Sequence, residues 1–179
     1  VDPDPDAVLE TGAALSGRGW GDLCHDEPLG ETWRAVRRAD GGKTVVVNGH
    51  GNAADALLLA SAPFEALEGA VALAETVDAD RVVVYVSEDD EEATRTVRAA
   101  AGNYPDRPVD VDIVTGRATH RAAEPTMALE AIEGNHRLEA RLRPPGPAEV
   151  GLHGGPTLVH TPRTLAQLTV ALRDGSVPE

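Results

Sequence analysis

The sequence predicts an α/β chain folded as a Rossmann-like three-layer domain around a mostly parallel sheet. Three observations carry this. Thr44–Asn48 (Thr-Val-Val-Val-Asn) and Arg81–Val86 (Arg-Val-Val-Val-Tyr-Val) are continuous β-branched runs, the pattern of strands covered on both faces. Val109–Val114 alternates valine with aspartate, the pattern of a half-exposed edge strand. Helical periodicity fills the segments between, and right-handed crossovers turn that alternation into a layered parallel sheet.

The 179 residues are enough for one domain with a buried core. The opening Val1-Asp2-Pro3-Asp4-Pro5-Asp6 is turn-like, so residues 1–5 are expected to fray. Asp6 is placed to cap a helix reaching Leu15, stopped by Gly17 and Gly19. Pro63 suits a first helical position, and Phe64, Leu67, Val71, Ala74 and Val77 form one apolar stripe behind it. Glu88–Ala101 is acidic in its first turns, as the helix macrodipole prefers, with Ala93, Val97, Ala100 and Ala101 inward. Pro125–Glu133 reads as a helix opening after Glu124. Leu165, Leu168 and Leu172 mark a last helix that Gly175 ends. Arg141–Thr157, rich in Pro and Gly, reads as an irregular arm that wraps a surface or frames a site.

Thirty acidic residues against 16 basic ones give a net charge of −14 and a pI near 4.7. Lys43 is the only lysine, and the other basic residues are arginine. Such a surface suits a salt-filled cytoplasm, where molar salt cuts the Debye length to ~3 Å, and stability is expected to climb with KCl. A GC-rich genome would give the same bias towards Arg, Ala and Val. The charge disfavours duplex nucleic acid and anionic membranes as partners. No apolar run approaches the ~18 residues of a membrane span and no signal peptide is visible, so a cytoplasmic location is expected.

Cys24 is the single cysteine. It can form no internal disulfide and cannot supply four thiolates, so no iron–sulfur cluster is expected within this chain. It reads as a small buried hydrophobe. His25, His50, His120, His136, His153 and His160 form no recognised ligand pair, and no metal site is expected.

In parallel sheets ligands gather at the strands' carboxyl ends, here Asn48–Asn52, Ser87–Asp89 and Thr115–Thr119. Asn48-Gly49-His50-Gly51-Asn52 offers donors and acceptors for the edge of a planar polar ring, although a topological turn explains it equally. Ser16-Gly17-Arg18-Gly19-Trp20-Gly21 could bring main-chain N–H groups, with Arg18, close to an anion. It follows no strand, and taken alone a plain loop is the simpler reading.

These pieces fall in a familiar order. Gly17-Arg18-Gly19, Gly30-Glu31-Thr32-Trp33, Val47-Asn48 and Pro63–Gly69 resemble the G-R-G-G, G-L-K-W, N-A-D-E-G-E-P-G and P-H-x-x-I-E-G motifs of the flavoprotein subunit of respiratory complex I. Glu124–Gly134, Arg141–Ala148 and Gly151–Ala166 resemble its later G-E-E-T-A-L-x-E-S-L-E-G, P-R-x-K-P-P-F-P-A and G-L-x-G-x-P-T-x-V-N-N-V-E-T-L-A motifs. Relatives include NAD-linked hydrogenases, formate dehydrogenases and ion-pumping Rnf complexes. The resemblance implies a flavin mononucleotide (FMN) pocket around Gly17, Arg18, Gly19, Asn48, Glu124, Thr126, His160 and Thr161. It also implies electron transfer from NADH through that flavin, beside other oxidoreductase subunits. It assigns no catalytic residue here.

The departures fall on ligand-bearing positions. Thr32 replaces a lysine near the flavin phosphate, and His50-Gly51-Asn52-Ala53 replaces the acidic loop. Pro125 stands for the second carboxylate, and His160-Thr161 for paired asparagines. They weigh more heavily against NADH than against FMN. Two functions stay open: an FMN-holding electron-transfer domain, or a non-catalytic module that keeps the fold for binding or structure. An unrelated nucleotide-binding regulator is a third.

Overall fold

The computed structural model describes residues 4–22, 28–104 and 108–175. Cys24 and His25, and residues 1–3 of the segment expected to fray, lie outside them. The first helix, α1 (Pro5–Ala14), starts earlier than the sequence suggests, because Asp4 rather than Asp6 is its cap. The Asp4 carboxylate accepts from the Asp6 N–H at 3.1 Å, and Pro5 takes the first helical position, where no N–H is needed.

The helix α2 (Leu29–Arg38) goes beyond the elements the sequence predicts. Trp33 and Val36 supply its buried side, a spacing hidden inside a stretch that reads first as a motif. After strand β1 (Thr44–Asn48) comes a second unpredicted helix, α3 (Ala53–Ser61), which Asn52 caps through the Ala54 N–H at 2.9 Å. The next, α4 (Pro63–Val77), is buried on most sides by neighbouring helices and the sheet. Its apolar surface is therefore broader than one stripe. Phe64, expected inside that stripe, is 41% exposed and lies against Tyr104.

Strand β2 (Arg81–Ser87) follows, then α5 (Glu91–Asn103), which starts later than Glu88. The Glu88 N–H is committed to the Gly116 carbonyl at 2.8 Å, which holds that residue in the sheet's edge rather than in a helix. Strand β3 (Asp110–Gly116), helix α6 (Pro125–Ile132), strand β4 (Thr157–His160) and helix α7 (Pro162–Asp174) complete the order. The arm read as irregular up to Thr157 is irregular up to Pro156, and β4 emerges at its end. A four-residue strand is too short to give a periodic signal of its own.

The strands form one parallel sheet in the order β3-β2-β1-β4. β3 is an edge, as its alternation predicts. Alternate residues separate the faces. Val45, Val47, Val82, Val84, Val86 and Leu158 meet a thick layer of helices that includes α1, α2, α4, α5 and α7. Val46, Val83 and Val159 meet Leu129 of α6 and Leu152, and Tyr85 meets Ala122 and Ala128. Each such side chain moved fully out of water contributes ~1.5–3 kcal/mol, so the sheet's continuous valines are what hold the three layers together.

Two contacts fix the helical layer. A Cβ at Gly69 would overlap the Leu165 carbonyl, so only glycine allows α4 and α7 to cross this closely. Lys43, 7% exposed, donates to the carbonyls of Arg37 and Val77 at 2.9 and 3.0 Å, tying down the carboxyl ends of α2 and α4. The only lysine is thus structural. No single helix among the described residues is long and apolar enough to cross a membrane, and the apolar α3 and α4 meet at a 97° bend.

Candidate functional site

The chain runs outward from β1 to β2 to β3, then returns through α6 to place β4 on the other side of β1. The order reverses between β1 and β4, and beyond their carboxyl ends lies the position at which doubly wound sheets bind ligands. Asn48 ends β1 there and His160 ends β4. Thr161 caps α7 beside them, and the Gly17–Asp22 turn folds over from the amino-terminal end of the chain.

Asp22 is the centre of this cluster and is 5% exposed. Its carboxylate accepts from His160 Nδ1 at 2.7 Å, the Thr161 N–H at 2.9 Å and the Thr164 hydroxyl at 2.5 Å. Trp33, fully buried, donates its indole N–H to His160 Nε2 at 2.9 Å. An indole can only donate, so Nε2 must carry the lone pair and Nδ1 the proton aimed at Asp22. Trp33 thereby fixes one neutral tautomer of His160. Burial by itself would raise the Asp22 pKa. The hydrogen bond from His160 Nδ1–H, with those from Thr164 and the Thr161 N–H, outweighs it and holds the group below its ordinary 3.8.

The glycine turn is locked to the same helix start. The Arg18 N–H donates to the Thr164 hydroxyl oxygen at 2.8 Å, and the Thr161 hydroxyl donates to the Arg18 carbonyl at 2.7 Å. The Arg18 side chain is exposed and reaches Gln167 on α7 at 3.2 Å. Gly17 packs on the Asp22 side chain. Gly19, at φ +80°, packs on the Arg163 guanidinium, where any Cβ would collide. Arg163 is held by the buried Asp55 through two bonds of 2.9 and 3.0 Å.

On the other side of the sheet edge, Asn48 donates to the Ala122 and Ala123 carbonyls at 2.9 and 3.2 Å and accepts from the His50 N–H. His50 is buried and stacks on Tyr85 with centroids 4.9 Å apart. Its Nε2 must donate to the Arg117 carbonyl, 3.0 Å away, which leaves Nδ1 as a buried acceptor with no partner among the described residues. Burial lowers the His50 pKa, against the opposing pull of the Arg117 and Gly116 carbonyls and of Asp90 and Asp89. Glu124 caps α6, accepting from the Met127 N–H at 2.8 Å and the Thr126 hydroxyl at 2.6 Å. Thr126 in turn accepts from the Arg141 N–H at 2.9 Å, holding the irregular arm.

Gly17, Arg18, Gly19, His160 and Thr161 therefore gather at the start of α7. Asn48 joins them across Gly21, whose Cβ would lie 2.9 Å from Thr161 Cγ2 and 3.8 Å from the Asn48 amide. Glu124 and Thr126 belong to the adjoining cap of α6. Sequence reasoning misses Asp22, Trp33, Thr164, Asp55 and Arg163. Thr161-Pro162-Arg163-Thr164 carries the local signal of a capped helix start, whereas nothing near Asp22 announces a partner 139 residues away.

Residues 15–170 match the Nuo51 FMN-binding domain. The chain belongs to that family. An NADH-quinone oxidoreductase component of Mycobacterium tuberculosis is 27% identical over 194 residues, covering 97% of this chain and 42% of the relative. The corresponding NADH-quinone oxidoreductase component of Streptomyces coelicolor is 29% identical over 185 residues, covering 94% and 40%. A crystal structure of an NAD+-reducing NiFe hydrogenase in the air-oxidised state superposes with a TM-score of 0.84 at 27% identity, covering 96% of this chain and 31% of the hydrogenase chain. The chain thus spans 33–44% of the length of these curated relatives. It is related to the flavoprotein subunit of complex I and of NAD+-reducing hydrogenase.

FMN brings a dianionic phosphate monoester and a planar ring with donors and acceptors along its edge. The unpaired Nδ1 of His50 fits a donor on such an edge. The donors around Asp22 are those an oxyanion needs: a main-chain N–H and a hydroxyl at a helix amino terminus, and an imidazole N–H. Their chemistry fits the phosphate of the family's cofactor. In this chain they hold the Asp22 carboxylate.

Proposed function

We propose that this domain holds FMN at the carboxyl ends of β1 and β4 and serves an NADH-linked electron-transfer assembly together with other oxidoreductase subunits. The reading rests on one observation above all. Residues at the positions of the family's ligand motifs, separated by as many as 144 positions between Gly17 and Thr161, gather at the topological switch point of the sheet. Gly17, Arg18, Gly19, Asn48, His160 and Thr161 would bound the cofactor, with Glu124 and Thr126 shaping the adjoining wall. Bound FMN would supply the exchange between two-electron and one-electron carriers. This chain's residues would orient it and exclude water. NADH as the electron donor is a further proposal, supported by the names of the relatives and weakened by the loss of the acidic loop. The expected compartment remains the cytoplasm.

Purified protein in molar KCl, titrated with FMN, should quench flavin fluorescence and shift the flavin absorbance bands. No change up to millimolar FMN would remove the proposal. The self-satisfied Asp22 cluster favours the second reading in that event, a module that keeps the family fold without the flavin. Arg18→Ala should weaken FMN binding only modestly, because the exposed Arg18 side chain already bonds to Gln167.

A further inference from the structure

We infer that Asp22 is a built-in competitor for the phosphate of the cofactor. Its carboxylate occupies the anion-binding donors at the start of α7, and a flavin phosphate can take them only by displacing it. This rests on the FMN reading above but reaches further, since it concerns which anion the donors hold.

The geometry supports competition rather than accommodation. The His160 Nδ1–H, the Thr161 N–H and the Thr164 hydroxyl all end on the one carboxylate. The Thr161 hydroxyl, 3.3 Å from Asp22 Oδ2, donates to the Arg18 carbonyl at 2.7 Å, and the Arg18 N–H donates to Thr164. Trp33 prevents His160 from presenting a different nitrogen. A second anion beside Asp22 would add like charge in a buried site, which is strongly unfavourable at low dielectric. The carboxylate also comes from a short segment. Asp22 closes a three-residue 3-10 turn, Trp20–Asp22, whose Trp20 is half exposed.

Removal of the carboxylate should therefore create an open anion site. In Asp22→Ala the three donors lose their partner and await an external anion. Binding of FMN should tighten at least ~10-fold relative to wild type, since even one charge-assisted hydrogen bond regained is worth about a factor of ten. Riboflavin, which has the ring and no phosphate, should change by less than ~2-fold. At the same KCl concentration, inorganic phosphate should raise the melting temperature of Asp22→Ala at concentrations at least ~10-fold below those that move wild type.

The two ideas fail separately. If neither protein binds FMN but the variant is stabilised by phosphate, the competitor stands and the FMN reading falls. If wild type and variant bind FMN equally, the FMN reading stands and the competitor falls. If the variant gains neither FMN nor phosphate, the competitor falls outright. Should Asp22→Ala not fold by circular dichroism, Asp22→Ser, which also vacates the carboxylate's space, carries the same titrations. Should that also fail, the Asp22 carboxyl 13C resonance of wild type decides: it must shift when phosphate is raised to saturation, and a fixed resonance overturns the proposal.

Discussion

Replacing Trp33 with phenylalanine isolates the bond that orients the whole Asp22 cluster. The indole N–H is the only donor to His160 Nε2 among the described residues, at 2.9 Å, and both residues are buried. Phenylalanine keeps most of the ring contact, which meets His160 edge-on at 5.7 Å. It leaves Nε2 as a buried acceptor without a donor, costing ~1–3 kcal/mol. The lost part of the indole adds about 1 kcal/mol as a small cavity. His160 cannot escape by moving its proton to Nε2, because Nδ1 would then point a lone pair at the Asp22 carboxylate 2.7 Å away. The total is roughly 2–4 kcal/mol, and at ~2–4 °C per kcal/mol for a chain of this length the melting temperature should fall by about 4–16 °C. Differential scanning calorimetry in molar KCl measures this. A 15N spectrum of the wild-type imidazoles should in parallel show His160 Nε2 unprotonated. A fall of less than about 2 °C, or a protonated Nε2, refutes the fixed tautomer.

Acid should expose the Asp22 cluster. Its folded pKa lies below the ordinary 3.8, so its contribution to stability is complete above 3.8 and is lost as pH falls through the lower folded value. Thermal unfolding followed from pH 5 downward at fixed KCl should therefore steepen below about 4 in wild type. That component should be missing in Asp22→Asn, and identical slopes would contradict it. Gly69→Ala should force α4 away from the Leu165 carbonyl at a cost of ~1–3 kcal/mol, seen in chemical denaturation as a lower midpoint with an unchanged slope. A neutral Gly69→Ala would mean that the two helices can separate at that crossing without loss.

The carboxyl tip of β1 is legible in the sequence because valine runs, prolines at helix starts and glycine stops are local signals. Glu124 is an example. As the residue before Pro125 it reads as a helix boundary, and its carboxylate does cap α6. The Gly17–Gly19 turn is legible as a motif but not as a contact surface. Its glycines admit Asp22 and Arg163 of the same chain, and its Arg18 N–H serves Thr164. Helices α2 and α3 escape because their buried positions are few and the motifs beside them carry the stronger pattern. Trp33 stands in a recognised motif, yet its role depends on His160, 127 residues later.

By itself the sequence determined the alternation of strands and helices, the edge position of β3 and membership in the flavoprotein lineage. Period, propensity and motif order act over a few residues at a time, and the chain states them directly. Tertiary structure alone decided which charge sits at the start of α7, which nitrogen of His160 holds the proton, and that the lone lysine is buried between two helix ends. The first two are properties of groups brought together across more than a hundred residues. Only the closing of β4 against β1 creates the low-dielectric site in which they have meaning.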